Sequence, residues 1–171
     1  MKDKKFIPLI SVVVFILLLD QIIKVVLNIN HATGHHIAVL GDFFGVHYTQ
    51  VFIPIVKLTT IALLSLLSGF VFITNLKQQS TNMLCGSGIL LLFGSAVGRL
   101  IDGLTVGTFE TLLPFGLSLR TIDAFYINFG MGAHIFNLTS VLGLIGGFLI
   151  LYALVFKFSC LKEYLIMAFK A

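Results

Sequence analysis

The segments Gly98-Arg-Leu-Ile-Asp-Gly103 and Phe136-Asn-Leu-Thr-Ser140 bound the stretch on which the fold and its function depend. Each segment lies where a long apolar run meets a polar connection. The connection holds most of the acidic residues found away from the chain ends, together with one arginine and one histidine: Asp102, Glu110, Arg120, Asp123 and His134. Charged residues near membrane spans are costly to keep there, so they indicate a functional site.

The composition is that of a membrane protein. Of the 171 residues 58% are hydrophobic and only 11% are charged, with a mean hydropathy of +1.07. The hydrophobic share and the mean hydropathy exceed those of soluble domains, and the charged share is lower than theirs. We expect an all-α polytopic membrane protein, with residues 1–171 forming a single membrane domain. Lysine and arginine cluster at the chain ends and in one short connection, which is how membrane proteins set their orientation, so a nucleic acid is not an expected partner.

Four apolar runs predict four transmembrane helices, at about 7–28, 54–75, 83–101 and 136–156. The first run follows basic residues but lacks a small-residue cleavage site, so we expect it to be retained as a span. Seven of the 11 Lys and Arg residues then fall on one side of the membrane. The positive-inside rule makes that side cytoplasmic, with both termini and an amphipathic tail, 157–171.

The opposite side receives two outer loops, 29–53 and 102–135. Partial alternation over 37–52 predicts a short β-ribbon at the membrane surface, a small extracytoplasmic β-cradle. The second loop is rich in Gly and Phe and is expected to remain a loop. Small residues at helix-packing spacing on the third and fourth spans, Gly94 with Gly98 and Gly143 with Gly147, predict close packing within the helix bundle.

Two groups of acids are candidates for chemistry. Asp20 and Lys24 are four residues apart on one helical face, and we expect them to form a buried ion pair that supports the fold. Asp102 and Asp123 both fall in the second outer loop by this division, where two carboxylates sharing a proton could activate water. The structural alternative is that Asp102 ends the third helix by bonding to the backbone or to Arg99.

The histidines and cysteines do not predict a metal or cofactor site. Helical metal-ligand spacing is lacking among the five histidines, which are His31, His35, His36, His47 and His134. Cys85 and Cys160 fit small apolar packing residues. We expect no metal and no cofactor.

Several motifs resemble those of the lipoprotein signal peptidases (signal peptidase II), in the same order along the chain. Leu19-Asp-Gln-Ile-Ile-Lys24 resembles LDQxxK, and Asp42-Phe-Phe-Gly-Val-His-Tyr48 is similar to the family's aromatic stretch. Gly98-Arg-Leu-Ile-Asp-Gly103 resembles GNxxDR, Thr121-Ile-Asp-Ala-Phe-Tyr126 resembles VVDF, and Phe136-Asn-Leu-Thr-Ser140 resembles FNxAD. The resemblance covers nearly the whole chain and implies a bacterial cytoplasmic membrane protein.

In this family an aspartate dyad hydrolyses the peptide bond before the lipid-modified cysteine of a prolipoprotein. The resemblance assigns the first catalytic position to Asp123 and the second to Ser140, where the family has aspartate. It also implies binding or support roles for a further set: Asp20, Lys24, Gln50, Arg99, Asp102 and Asn137. The implied partners are the lipid bilayer and a prolipoprotein or other lipid-modified peptide.

Other positions also depart from the family pattern. Arg99 replaces its Asn, Gly103 its Arg and Thr139 its Ala, and the chain has an insertion at about 108–122. An alignment without this insertion would put the first catalytic position on Thr111; the spacing to Phe136 favours Asp123. A serine cannot complete a carboxylate dyad, and loss of a catalytic acid or base typically costs ~10²–10⁴ in rate.

Three functions therefore compete. In the first, the chain is a member of this family that binds a lipid-modified or hydrophobic peptide without efficient cleavage. In the second, it is an active aspartic endopeptidase that uses Asp123 with Asp102 or Glu110. The third is a non-enzymatic scaffold or transporter subunit that only resembles the family.

The charge asymmetry makes a prediction about topology. Single cysteines introduced at His36 or Phe115 should react with an impermeant maleimide added outside cells, because both outer loops face that side. A cysteine at Gln78 should react only after the membrane is permeabilised. The single cysteines are introduced into a variant in which Cys85 and Cys160 have been replaced. Labelling of a cysteine at position 78 in intact cells would contradict the predicted orientation.

Overall fold

The computed structural model describes residues 6–29, 36–40, 43–77, 82–105, 108–112, 116–128 and 133–169. The elements in chain order are α1 (Ile7–Ile29), β1 (His36–Leu40), β2 (Phe44–Pro54), α2 (Ile55–Lys77), α3 (Met83–Thr105), β3 (Thr108–Leu112), β4 (Gly116–Asn128), β5 (Ala133–Phe136), α4 (Leu138–Phe156) and α5 (Phe158–Phe169). His31, His35, Asp42, Gln78 and Phe115, used in the sequence arguments above, lie outside these ranges.

The predicted fold class is confirmed. Helices α1 to α4 are each long and apolar enough to cross a membrane. At 1.5 Å per residue, their 19 to 23 residues extend about 28–34 Å, which matches a hydrocarbon core of ~30 Å. Many of their large side chains are exposed, such as Leu66 at 72% and Phe148 at 69%. In a bilayer those side chains face lipid, so the chain is a membrane protein.

The sheet lies at the end of the bundle where α1 and α3 finish and α2 and α4 begin. It is antiparallel, with strand order β1-β2-β4-β3 and with β5 paired to β4. The β-ribbon predicted over 37–52 is present as β1 and β2. The prediction that 102–135 is a loop is wrong, because this stretch contributes the end of α3 and the strands β3, β4 and β5.

Strand β4 escaped prediction because its central residues are buried on both faces. Asp123, Ala124, Phe125 and Tyr126 are all at most 8% exposed. A strand that is buried on both faces lacks the apolar–polar alternation by which a half-buried strand is recognised. Phe125 packs between Phe44 and Phe136, with ring centroids 6.2 and 5.9 Å apart, and thereby anchors the sheet.

The tail predicted to be amphipathic forms α5, which packs against α2, α3 and α4. Its buried side chains are Leu161, Tyr164 and Ala168. They join the core at the bundle end away from the sheet, where Phe6 and Cys85 also lie. Burial raises the pKa of Tyr164 to about 12, so its hydroxyl stays neutral at physiological pH.

Helices α3 and α4 make their closest approach through glycines. A Cβ on Gly146 would lie 2.8 Å from the carbonyl oxygen of Gly88, and a Cβ on Gly98 would overlap the side chain of Thr139. The predicted packing is present at Gly98 and Gly143, which lie between α3 and α4, and at Gly94, whose close neighbour is Val13 on α1. It is wrong for Gly147, because a Cβ there would meet nothing within 4 Å. The contact lies instead one residue earlier.

This difference between neighbouring glycines can be tested. Gly146→Ala should lower the stability of the protein in detergent by about 1–3 kcal/mol, because backbone atoms of α3 cannot rotate away from the added methyl group. Gly147→Ala is the matched control and should leave stability unchanged or slightly raised, because alanine favours the helix. Thermal unfolding of both variants measures the effect. Equal stabilities would contradict the close contact at Gly146.

Candidate functional site

The buried charges of the bundle are organised around Lys24 on α1. Its Nζ atom lies 2.6 Å from Oδ2 of Asp20 and 2.7 Å from Oδ1 of Asp102 on α3, and all three side chains are fully buried. Gln21 donates a second hydrogen bond to the same oxygen of Asp102. The predicted pair of Asp20 and Lys24 is therefore present, but it belongs to a larger cluster that joins α1 to α3.

Asp102 is placed differently from the sequence-based expectation. It lies inside α3, which continues to Thr105, and not in an outer loop. It does not end the helix, and Arg99 Nη1 is only at the edge of ion-pair range, 4.0 Å from Asp102 Oδ2. Its principal partners are Lys24, Gln21 and Asn137.

The start of α4 is fixed by the same cluster. Asn137 is the N-cap residue, and its Oδ1 accepts hydrogen bonds from the backbone N–H of Ser140 at 2.8 Å and from the Thr139 hydroxyl at 3.0 Å. Its Nδ2 donates to Asp102 at 3.2 Å. Asp20 accepts from the backbone N–H of Leu138 at 2.8 Å. A carboxylate at a helix N-terminus is stabilised by the unpaired N–H groups there.

Arg99 connects the two positions that the resemblance makes catalytic. Its Nη1 donates to Oδ1 of Asp123 at 2.9 Å, and its Nη2 donates to the hydroxyl of Ser140 at 3.0 Å. Ser140 in turn donates to Asn137 Oδ1. The guanidinium thus touches both residues at once, and its side chain is 20% exposed. Sequence reasoning assigned Arg99 only a support role and missed this bridge.

Strand β4 carries Asp123 to this point. Asp123 is paired with Thr49 on β2, and the register between the strands shifts between Val46 and Thr49. Such bulges are common next to functional sites because they redirect side chains. Gln50 pairs through its backbone with Ile122, and Glu110 on β3 pairs with Ser118. The side chains of Gln50 and Glu110 lie outside the described part of the structure.

Gln21 and Thr139 are site-supporting residues that sequence reasoning did not single out. Gln21 lies within the LDQxxK stretch, next to Asp20, and this motif was the available signal. Thr139 is fully buried, and its methyl group packs against Gly98. Among the described residues, no group of three or more His, Cys, Asp and Glu side chains could hold a metal ion.

An apolar groove between α2 and α3 leads to the guanidinium. Its volume is about 290 Å³ and one side is open. The lining residues come from one stripe of each helix: Ile61, Leu64 and Ser68 on α2, and Leu92, Ser95, Ala96 and Arg99 on α3. The site therefore consists of a polar centre at the sheet end of the bundle and an apolar channel that begins beside it.

The position of Lys24 between two acids changes the expected effect of substitutions. Lys24→Met should cost about 3–5 kcal/mol, because it leaves Asp20 and Asp102 buried without their shared cation. Asp20→Asn should cost less, because Lys24 keeps Asp102 and the amide oxygen can still accept from Leu138. Thermal unfolding in detergent gives the ranking.

Leu144→Ala, on the exposed face of α4, is the control variant and should unfold at nearly the same temperature as the unmodified protein. Adding Asp102→Asn to Lys24→Met should recover part of the loss. Equal stability of the Lys24→Met and Asp20→Asn variants would show that the bridge between helices contributes little.

Comparisons with known proteins support the fold. No family model and no curated protein matches the sequence. Two solved structures, each described as a bacterial membrane enzyme, match with a TM-score of 0.61. One is 23% identical over 88% of this chain and 89% of its own, and the other is 21% identical over 88% and 95%. At this identity the likeness shows that this chain shares the fold of those two structures, and no more.

Proposed function

We propose that this chain is a signal peptidase II-like protein of the bacterial cytoplasmic membrane that binds a lipid-modified or hydrophobic peptide without cleaving it. The ligand is held at the outer face, and both termini are cytoplasmic. Two observations support the family. The motifs occur in its order along the chain, and the LDQxxK, GxxxD, TIDAF and Phe-Asn segments converge on a single polar centre. The fold shared with bacterial membrane enzymes agrees with it.

The loss of cleavage rests on one observation, the bonding of Arg99 to both Asp123 and Ser140. An aspartate dyad works because one carboxylate is protonated while the other is not, so that one donates and one accepts a proton. Here one carboxylate remains, the second position holds a hydroxyl, and a cation contacts both. Arginine does not release its proton in proteins, so these three side chains cannot pass a proton between them.

The competing assignment, in which Asp102 supplies the second acid, receives no support from its surroundings. Asp102 is fully buried and is bound by Lys24, Gln21 and Asn137. The Arg99 nitrogen that bonds Asp123 is also the one nearest to Asp102. Each carboxylate thus has a cation of its own, Lys24 for Asp102 and Arg99 for Asp123.

Cleavage and binding are tested separately. Purified protein incubated with a fluorescent diacylglyceryl-modified peptide should release no product, and Asp123→Asn should not change that result. The same peptide should raise the unfolding temperature of the protein, because a ligand that binds only the folded state stabilises it. An unlipidated, polar peptide of equal length is the control.

Ser140→Asp alone should stay inactive, because Arg99 would then contact a carboxylate at each position. Product formation by the unmodified protein, abolished by Asp123→Asn, would overturn the proposal. The Asp102→Asn and Glu110→Gln variants would then identify the second acid. Absence of both cleavage and thermal stabilisation would favour the scaffold or transporter-subunit reading instead.

A further inference from the structure

The groove between α2 and α3 has a defined order of side chains along the membrane normal. The two helices are antiparallel, because Lys77 ends one and Met83 begins the next. A Cβ on Gly69 of α2 would lie 2.8 Å from the ring of Phe93 on α3, which fixes their relative register. By that register Ser68 lies near the level of Leu92, and Ile61 lies near the level of Arg99.

The apolar part of the groove is short and small in volume. Residues Leu92 and Arg99 are seven positions apart, so the channel runs about 10 Å along the helix. Its volume of about 290 Å³ is at the lower end of the range for small-molecule sites. Leu64, on its open side, is 57% exposed. An occupant therefore enters sideways from the bilayer, and there is room for one acyl chain.

Polar groups follow in sequence above this channel. Arg99 comes first, about 9 Å below the sheet end of α3 at Thr105, and a guanidinium carries five N–H donors. The bonds to Asp123 and Ser140 use two of them. Because Asp123 already balances its charge, Arg99 is suited to a neutral acceptor such as an ester carbonyl.

A second cation lies one helical turn closer to the sheet. Lys57 continues the α2 stripe of Ile61 and Leu64, four residues before Ile61, and it is exposed. Gly103 on α3 lies near the same level and has no side chain to fill the space. The structure gives Lys57 no ion pair with a described acid. Lysines near helix ends extend to the membrane interface, where lipid phosphates lie.

We infer that this groove binds one anionic glycerophospholipid from the surrounding bilayer. One acyl chain lies between α2 and α3, an ester carbonyl accepts from Arg99, and the negatively charged head group contacts Lys57. The order of chain, carbonyl and head group in the lipid matches the order of apolar stripe, Arg99 and Lys57 in the protein. This site does not depend on the proposed peptide ligand, and it makes a membrane lipid a resident partner of the polar centre.

The site is tested by lipid retention. The full-length protein is equilibrated in mixed micelles containing equal amounts of dioleoyl-phosphatidylglycerol and dioleoyl-phosphatidylcholine, and the lipids that remain bound are identified by native mass spectrometry. Phosphatidylglycerol should be retained about fivefold in excess, as expected for one basic side chain near an anionic head group. Its ether-linked analogue, which lacks the carbonyl, should bind about tenfold more weakly than the ester, the range for one hydrogen bond to a charged group.

Three variants separate this site from general lipid adhesion. Lys57→Gln should abolish the preference for phosphatidylglycerol. Lys162→Gln, the same change at an exposed position of α5, should preserve it. Ala96→Phe should fill the channel and remove retention of both lipids while Arg99 stays in place. Unfolding temperatures show that each variant is folded.

Several outcomes would overturn the inference. They are equal retention of the two lipids by the unmodified protein, equal binding of ester and ether lipids, and undiminished retention by the folded Ala96→Phe variant. Each would mean that only unspecific boundary lipid occupies the groove. Peptide cleavage and peptide binding are measured without added phospholipid. The lipid-retention result and the peptide results are therefore independent, and either inference can fail without the other.

Discussion

Lys24 lies between two buried carboxylates, and much of the bundle depends on this arrangement. A charged group in a membrane span requires a partner, since isolated charges in hydrocarbon are expensive. Asp20 and Asp102 supply that partner from α1 and α3, at 2.6 and 2.7 Å. Both acids then use their remaining oxygens to hold the start of α4, one through Leu138 and the other through Asn137. A single ammonium group therefore fixes the relative position of three helices at the level of the candidate site.

The part of the fold that hydropathy controls was predictable, and the part that depends on long-range pairing was not. Four apolar runs of spanning length and the spacing of Asp20 and Lys24 are local signals, and the structure has the corresponding helices and ion pair. The centre of strand β4 gave no alternating pattern because it is buried on both faces. The contacts of Arg99 join residues 24 and 41 positions away, and no periodicity in the chain links them.

The side chains of the candidate site match one another in charge and hydrogen bonding. A guanidinium at position 99 and a hydroxyl at position 140 suit each other, because a lone Asp123 supplies one negative charge and the hydroxyl supplies a neutral acceptor. These three side chains thus satisfy one another's hydrogen bonds. The cap at Asn137 and the close contact of Gly98 with Thr139 set where α4 begins and so hold the backbone that presents them.

The hydrogen bond from Leu138 to Asp20 joins residues 118 positions apart, which has a consequence for biogenesis. Helix α1 enters the membrane long before α3 and α4 have been synthesised, so its charges must first be tolerated without them. Asp20 and Lys24 are four residues apart and neutralise each other within one helix. Helix α1 can therefore stay inserted in the bilayer as a segment without net charge until the other helices are made. When α3 arrives, Lys24 gains Asp102, and when α4 arrives, Asp20 gains the Leu138 N–H. Helix α1 thus acts as a docking point for α4 during assembly.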